Sequence, residues 1–187
     1  MEEGKRGKIG RTGGETVLWF WNLVCYSFLG FLLEVWFARA TGGRRDRKCM
    51  LLPLCPVYGV GAVLILTLTA GVRDDPLLVG LIGAGAATAA EYTLSLWYEK
   101  LLGVSFWDYH QLPGNLQGRV CLPFSAAWGI LSLGLVYWVE PMMSRLLCNI
   151  PLPITAAAMA AFVGDLIVSS LMLRRTGDIT CLRWKRA

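Results

Sequence analysis

The chain contains little that would support metal, nucleotide or hydrolytic chemistry. Among its 187 residues there is one histidine, His110, and no two of the six cysteines form a CxxC pair. A structural zinc site needs four closely spaced Cys or His ligands, so neither a metal nor a cofactor is expected. No GxxxxGK[ST] phosphate loop and no HExxH motif occurs. The chain is therefore not itself an ATPase, and an enzymatic role is the less favoured interpretation.

Charge is also scarce. Charged residues make up 17% of the chain and hydrophobic residues 55%, with a mean hydropathy of +0.51, whereas soluble domains carry about 25% charged residues. This composition excludes a disordered chain, a fibrous repeat and an ordinary cytosolic enzyme. The 18 Lys and Arg residues cluster between apolar blocks and do not alternate with aromatics. The pattern predicts contact with anionic lipid and excludes nucleic acid as a partner.

Five apolar blocks are long enough to cross a bilayer, which takes about 20 residues in helical form. They cover residues 17–38, 51–72, 76–102, 120–142 and 152–173. The first block is longer than the apolar core of a signal peptide, so we expect it to be retained. The sequence thus predicts an all-α, polytopic membrane helical bundle of about five transmembrane helices. This single domain, residues 17–173, lies between basic tails at 1–16 and 174–187.

The distribution of basic residues predicts the orientation in the cell membrane. With the N-terminus outside, the inner segments hold 12 Lys and Arg residues and the outer segments hold six. The positive-inside rule therefore favours an outer N-terminus and an inner C-terminus. Five spans cannot divide into two equal halves, so a homo-oligomer or a separate partner subunit would complete any pathway across the membrane.

The acidic residues that stand out inside the predicted spans are Glu34, Glu91, Glu99 and Asp165. An ionisable group at membrane depth costs at least a few kcal/mol and usually faces a bundle interior or a water-filled cavity. Gly30 lies one turn before Glu34 on the same helix face and leaves room for a partner chain. These carboxylates are candidate groups of a substrate or ion pathway. The alternative is that each makes a purely structural hydrogen bond or ion pair.

A polar loop separates the third and fourth spans and reads VSFWDYHQLPGNLQGR over residues 104–119. Arg119 at its end is a natural partner for Glu91, Glu99 or Asp108, because an Arg–carboxylate pair is geometrically specific. The loop is therefore expected either to re-enter the bundle or to lie at the interface. Its candidate pathway residues are Asp108, Tyr109, Asn115 and Arg119.

The entry to the second span holds two prolines three residues apart, Pro53 and Pro56. They cannot both sit inside a regular helix without breaking its hydrogen bonds. The motif is either a broken entry that lines a site or a loop followed by a helix that starts at Pro56. The candidate residues of this motif are Pro53, Cys55, Pro56, Tyr58 and Gly59.

Several of these segments together resemble one membrane-protein family, described as Putative ABC-transporter type IV, or CmpB-like permeases. Vertebrate transmembrane protein 229 is a distant relative of that family. The matching segments are Gly30 to Glu34, Pro53 to Gly61, Glu91 to Glu99, Trp107-Asp108-Tyr109, Pro113 to Arg119, Phe124 and Trp128-Gly129. The chain departs from the family pattern at Leu52, His110 and Gly114.

The resemblance implies a permease. We therefore expect the protein to take part in transport of a small solute or ion through a site lined by intramembrane carboxylates. The alternatives are a structural or regulatory membrane subunit and a membrane-embedded lipid-modifying enzyme. No cytoplasmic coupling motif of the kind that docks some permeases to their ATPase is visible, so an ATPase partner is not indicated.

Overall fold

The computed structural model describes residues 3–42, 49–147 and 150–183, with residues 3–16 as backbone alone. Within these ranges the chain is all-α. The helices are α1 (Glu3–Ala40), α2 (Pro56–Leu68), α3 (Pro76–Trp97), α4 (Leu122–Gly134), α5 (Glu140–Leu147) and α6 (Leu152–Thr176). A π-helical turn, Tyr98–Leu102, extends α3, and a second one, Leu135–Val139, joins α4 to α5 into one rod. The described chain therefore forms five helical rods.

Four of the five rods are long and apolar enough to cross a membrane. They are Val17–Ala40, Pro76–Leu102, Leu122–Leu147 and Leu152–Thr176, with 24 to 27 residues each. A hydrocarbon core of about 30 Å needs about 20 helical residues. These rods confirm a helical membrane protein. The last three begin within two residues of their predicted starts, whereas α1 already begins at Glu3, in the predicted tail.

The second apolar block differs from the prediction. Residues 51–72 were expected to form one span, but α2 has only 13 residues, which is roughly 20 Å of helix. Its first residue is Pro56, where the missing N–H costs nothing, and Cys55 is the N-cap. The interpretation of a loop followed by a helix from Pro56 is therefore confirmed.

The residues before α2 lie inside the bundle as irregular backbone. The backbone N–H groups of Leu51 and Leu52 donate to the side chains of Ser169 and Asp165, at 3.0 and 2.9 Å. The N–H of Cys55 donates to a backbone carbonyl of α1 at 2.9 Å. Because these bonds replace those of a helix, the segment can run among apolar helices without unpaired N–H groups at these positions.

Small residues allow the first four rods to pack closely in chain order, α1 on α2, α2 on α3 and α3 on α4. A Cβ at Gly59 would lie 2.2 Å from the Ser27 hydroxyl, and one at Gly83 would lie 2.2 Å from Ser132. Glycine is therefore required at both contacts. The last rod, α6, is the least enclosed, with 11% of its apolar window buried.

The bundle has two distinct ends. One end, here called the loop end, carries the polar loop after α3 and a core that includes Tyr98, Phe106 and Leu182. At the opposite end Trp21 of α1 donates to Thr155 near the start of α6. Tyr137 donates there to the carbonyl of Arg73, in the α2–α3 connection. The two ends therefore hold different sets of polar groups.

Candidate functional site

Glu91 lies near the middle of the third rod and is buried, with 5% of its surface exposed. Two neutral groups donate to its carboxylate. The Tyr109 hydroxyl lies 2.9 Å from Oε1, and the Trp128 indole N–H lies 3.0 Å from Oε2. Each carboxylate oxygen therefore has its own donor, one from the polar loop and one from α4.

A neutral aromatic donor on α2 holds Glu34 in the same way. The Tyr58 hydroxyl donates to its Oε1 at 2.7 Å, and the Tyr58 ring passes directly over Gly30. The room predicted at Gly30 is therefore occupied by Tyr58. The rings of Tyr58 and Trp128 meet edge to face at 5.2 Å, which connects the two carboxylates through an aromatic pair. We call Glu34, Tyr58, Trp128, Glu91 and Tyr109 the carboxylate network.

The polar loop reaches the network because it folds back onto the helices. The Tyr109 ring stacks on Phe124 of α4 with centroids 4.9 Å apart, and the backbone N–H of Tyr109 donates to the Gly118 carbonyl at 2.7 Å. Gly118 has a φ of +69°, and a Cβ there would lie 2.2 Å from the His110 ring. Of the two interpretations of this loop, the one in which it returns to the bundle fits this geometry.

Two predicted loop residues organise the loop and do not touch the network. Asn115 donates to the carbonyls of His110 and Leu112, both at 3.0 Å, and accepts from the Gly118 N–H. Asp108 accepts from the backbone N–H and the ring of His110. These two bonds hold the pKa of the Asp108 carboxyl below its ordinary value, the backbone bond contributing most.

Arg119 pairs with one of its three predicted partners. Its guanidinium pairs with Glu99 and also donates to Gln117. The Cζ atom of Arg119 lies 5.7 Å from the centroid of the Tyr92 ring. Among the described residues no Lys, Arg or His pairs with Glu34 or Glu91. The charge of Glu99 is therefore balanced by Arg119, whereas the donors that the described residues offer to Glu34 and Glu91 are neutral.

Asp165 and most of the second-span entry motif lie apart from the network. Asp165 accepts from the Leu52 N–H and from Ser169, so it supports the entry backbone. Cys55 lies with its sulfur 3.4 Å from that of Cys49. Pro53 belongs to the irregular entry, Pro56 begins α2, and Gly59 provides the close contact with α1. Within the motif, only Tyr58 joins the network.

The sequence reasoning did not single out a third carboxylate that is held by an aromatic donor. Glu140, at the end of the α4–α5 π turn, accepts from Tyr26 of α1 and from Ser144, both at 2.6 Å. It lies toward the end opposite the polar loop. Glu140 lies just before Pro141 and two residues inside the end of the predicted fourth span. This position in the sequence already indicated an acid at membrane depth. No three His, Cys, Asp or Glu side chains of the described part form a metal-binding group.

The comparisons with known proteins agree with this architecture. The family model described as Putative ABC-transporter type IV matches residues 21–172. The chain belongs to this family. No curated protein and no solved structure matches it, so the relation to vertebrate transmembrane protein 229 stays a prediction. The matched range contains every residue of the carboxylate network and most of each long rod.

Proposed function

We propose that the protein is a membrane transport protein whose substrate is a proton or another cation. Glu34 and Glu91 are the groups that bind it. The observation that carries the proposal is that both carboxylates lie among the helices with neutral aromatic donors and without a described basic partner. A buried carboxylate at membrane depth needs either a proton or a cation to balance its charge.

The arrangement also provides for exchange of the bound ion. Tyr58 and Trp128 are in edge-to-face contact, so the donor of Glu34 touches a donor of Glu91. Tyr109 approaches Glu91 from the polar loop, which is exposed at several of its residues. The loop end is therefore the side from which solvent would reach the network.

The test is flux through purified protein in sealed vesicles. A pH-sensitive dye and a panel of cation-selective dyes would follow the wild type and Glu91→Gln, which keeps the side-chain size and removes the charge. We expect flux of one species in the wild type and none in Glu91→Gln. Equal behaviour of the two proteins across the whole panel would overturn the proposal.

A matched control removes another carboxylate of the same helix. Asp75 is the N-cap of α3 and accepts from the N–H groups of Leu77 and Leu78, and asparagine caps helices about as well as aspartate. Asp75→Asn should therefore fold and transport as the wild type does. The two alternatives give other results: a structural or regulatory subunit shows no flux of its own, and a lipid-modifying enzyme changes the lipid composition of the vesicles.

The loop end also offers a place for anionic lipid. Lys100 and Arg174 border one apolar cleft between the third rod and α6, beside Trp97. We propose that an anionic lipid headgroup contacts these cations and that the loop end faces the cell interior, with the N-terminus outside. The weakly enclosed α6 would face a second copy or another subunit. Lys100→Gln with Arg174→Gln should lower enrichment of phosphatidylglycerol around the protein, measured by mass spectrometry of co-purified lipid.

A further inference from the structure

A cavity of about 330 Å³ lies between α1, α2 and α4, within the size range of small-molecule pockets. Its wall is almost entirely apolar, and Gly61 and Gly134 widen it. The helices pack in chain order, so α1 and α4 are not close neighbours along this stretch. The cavity therefore faces the gap between these two helices.

The aromatic residues of the cavity wall share one property. They are Tyr26, Tyr58 and Trp128, and each donates its polar hydrogen to a carboxylate that lies behind it. The acceptors are Glu140 for Tyr26, Glu34 for Tyr58 and Glu91 for Trp128. Three aromatic–carboxylate pairs from both ends of the bundle thus surround one apolar space.

This arrangement favours a positive charge in the cavity although its surface is apolar. The face of an aromatic ring carries partial negative charge and attracts cations. A hydrogen bond from the ring's own O–H or N–H to a carboxylate moves further electron density toward the ring. Low polarity around the cavity strengthens the effect, because charges are poorly screened there.

From this geometry we propose that the cavity binds an organic cation with an apolar body, such as a quaternary or aryl-substituted ammonium. This inference rests on the proposed function and names the substrate class of the same site. The apolar body fills the cavity, and the charge lies against the Tyr58 and Trp128 rings, in front of Glu34 and Glu91. A metal cation would lose its water in such a site without gaining oxygen ligands in return, so an organic cation suits it better.

The binding test uses benzyltrimethylammonium and its uncharged carbon isostere, neopentylbenzene, with full-length protein in lipid nanodiscs. Isothermal titration would give the Kd of each probe for the wild type. We expect the cation to bind at least about tenfold more tightly than the isostere, which corresponds to one or two cation–π contacts. Equal affinity for the two probes would overturn the proposal and would indicate a site for neutral hydrocarbon, such as a lipid acyl chain.

Two variants test whether the cation binds in the cavity. A Cβ at Gly61 meets nothing within 4 Å, so Gly61→Leu fills the space without a backbone clash and should weaken cation binding at least about tenfold. Gly164 on α6 has equally open surroundings and is outside the cavity lining, so Gly164→Leu should bind as the wild type does. Equal Kd values for Gly61→Leu and Gly164→Leu would contradict the assignment.

A third variant tests the electrostatic argument. Trp128→Phe keeps an aromatic ring and removes the N–H bond to Glu91, so the preference for the cation over the isostere should fall several-fold. An unchanged preference would overturn the role of the aromatic–carboxylate pairs. Vesicle flux that includes benzyltrimethylammonium separates the two proposals. Flux of protons or metal ions that depends on Glu91, without binding of benzyltrimethylammonium, would overturn only the present inference. Binding of benzyltrimethylammonium without flux of this or any other cation would overturn only the transport function.

Discussion

The ring of Tyr58 occupies the space that a side chain at Gly30 would need. An ideal Cβ on Gly30 would lie 2.1 Å from Cγ of Tyr58, far inside van der Waals contact. The same tyrosine donates to Glu34 one turn further along α1. The absence of a side chain at Gly30 therefore sets the position of the donor that holds Glu34, and it links helix packing to the carboxylate network.

Gly30→Ala is expected to destabilise the protein by about 1–3 kcal/mol, because the added methyl group must displace the Tyr58 ring from a packed interface. The free energy of unfolding would be measured by SDS titration in mixed micelles with circular dichroism as the signal. Gly85→Ala is the control, since a Cβ there meets nothing within 4 Å. It should be neutral or gain up to about 1 kcal/mol from helix propensity. Similar losses in both variants would contradict the contact.

The ion pair of Arg119 with Glu99 should contribute measurably to the free energy of unfolding, because the two side chains are only 16% and 32% exposed. Arg119→Ala is expected to cost about 1.5–3 kcal/mol, the range for a hydrogen bond to a charged group. In a double-mutant cycle with Glu99→Gln the combined loss should be smaller than the sum of the single losses. Arg73→Ala, at an exposed position, serves as control and should stay within about 0.5 kcal/mol. Additive losses would show that Arg119 and Glu99 do not interact.

The polar loop should lose stability in acid when Asp108 is protonated. Its pKa is lowered in the folded protein by the bonds from His110. The stabilisation is therefore fully present above the unfolded pKa of about 3.9 and is lost as the pH falls through the lower native pKa. A ¹³C NMR titration of the Asp108 carboxyl in micelles would give the native midpoint, and Asp108→Asn would identify the signal. A native midpoint at or above that of the unfolded chain would contradict the loop geometry.

The hydrophobic pattern predicted the four long rods well because a bilayer requires long, nearly uninterrupted apolar segments. Hydrophobicity alone did not divide the second block, because residues 49–55 are also largely apolar. The two prolines offered a helix start at Pro56, but not the α1 and α6 acceptors that hold the preceding segment. Room at Gly30 was predictable from helix spacing alone. The partner of Arg119 was not, since Glu91, Glu99 and Asp108 are chemically equivalent candidates and only the path of the loop distinguishes them.

The carboxylate network was predicted in part. Acids at membrane depth are rare enough to stand out in the sequence, which identified Glu34 and Glu91. Their donors are common apolar-looking residues, and Trp128 has many equivalents among eight tryptophans. Glu140 was overlooked because a carboxylate near a span end usually reaches solvent, whereas here Tyr26 and Ser144 hold it beside the helices.

The hydrogen bonds that support the entry to α2 also bear on the order of assembly. The N–H groups of Leu51 and Leu52 donate to side chains that follow 118 and 113 residues later in the chain. During synthesis these donors emerge long before α6, so the entry to α2 reaches its final state only after the last helix is inserted. A truncated chain without α6 would leave the N–H groups of Leu51 and Leu52 without these acceptors.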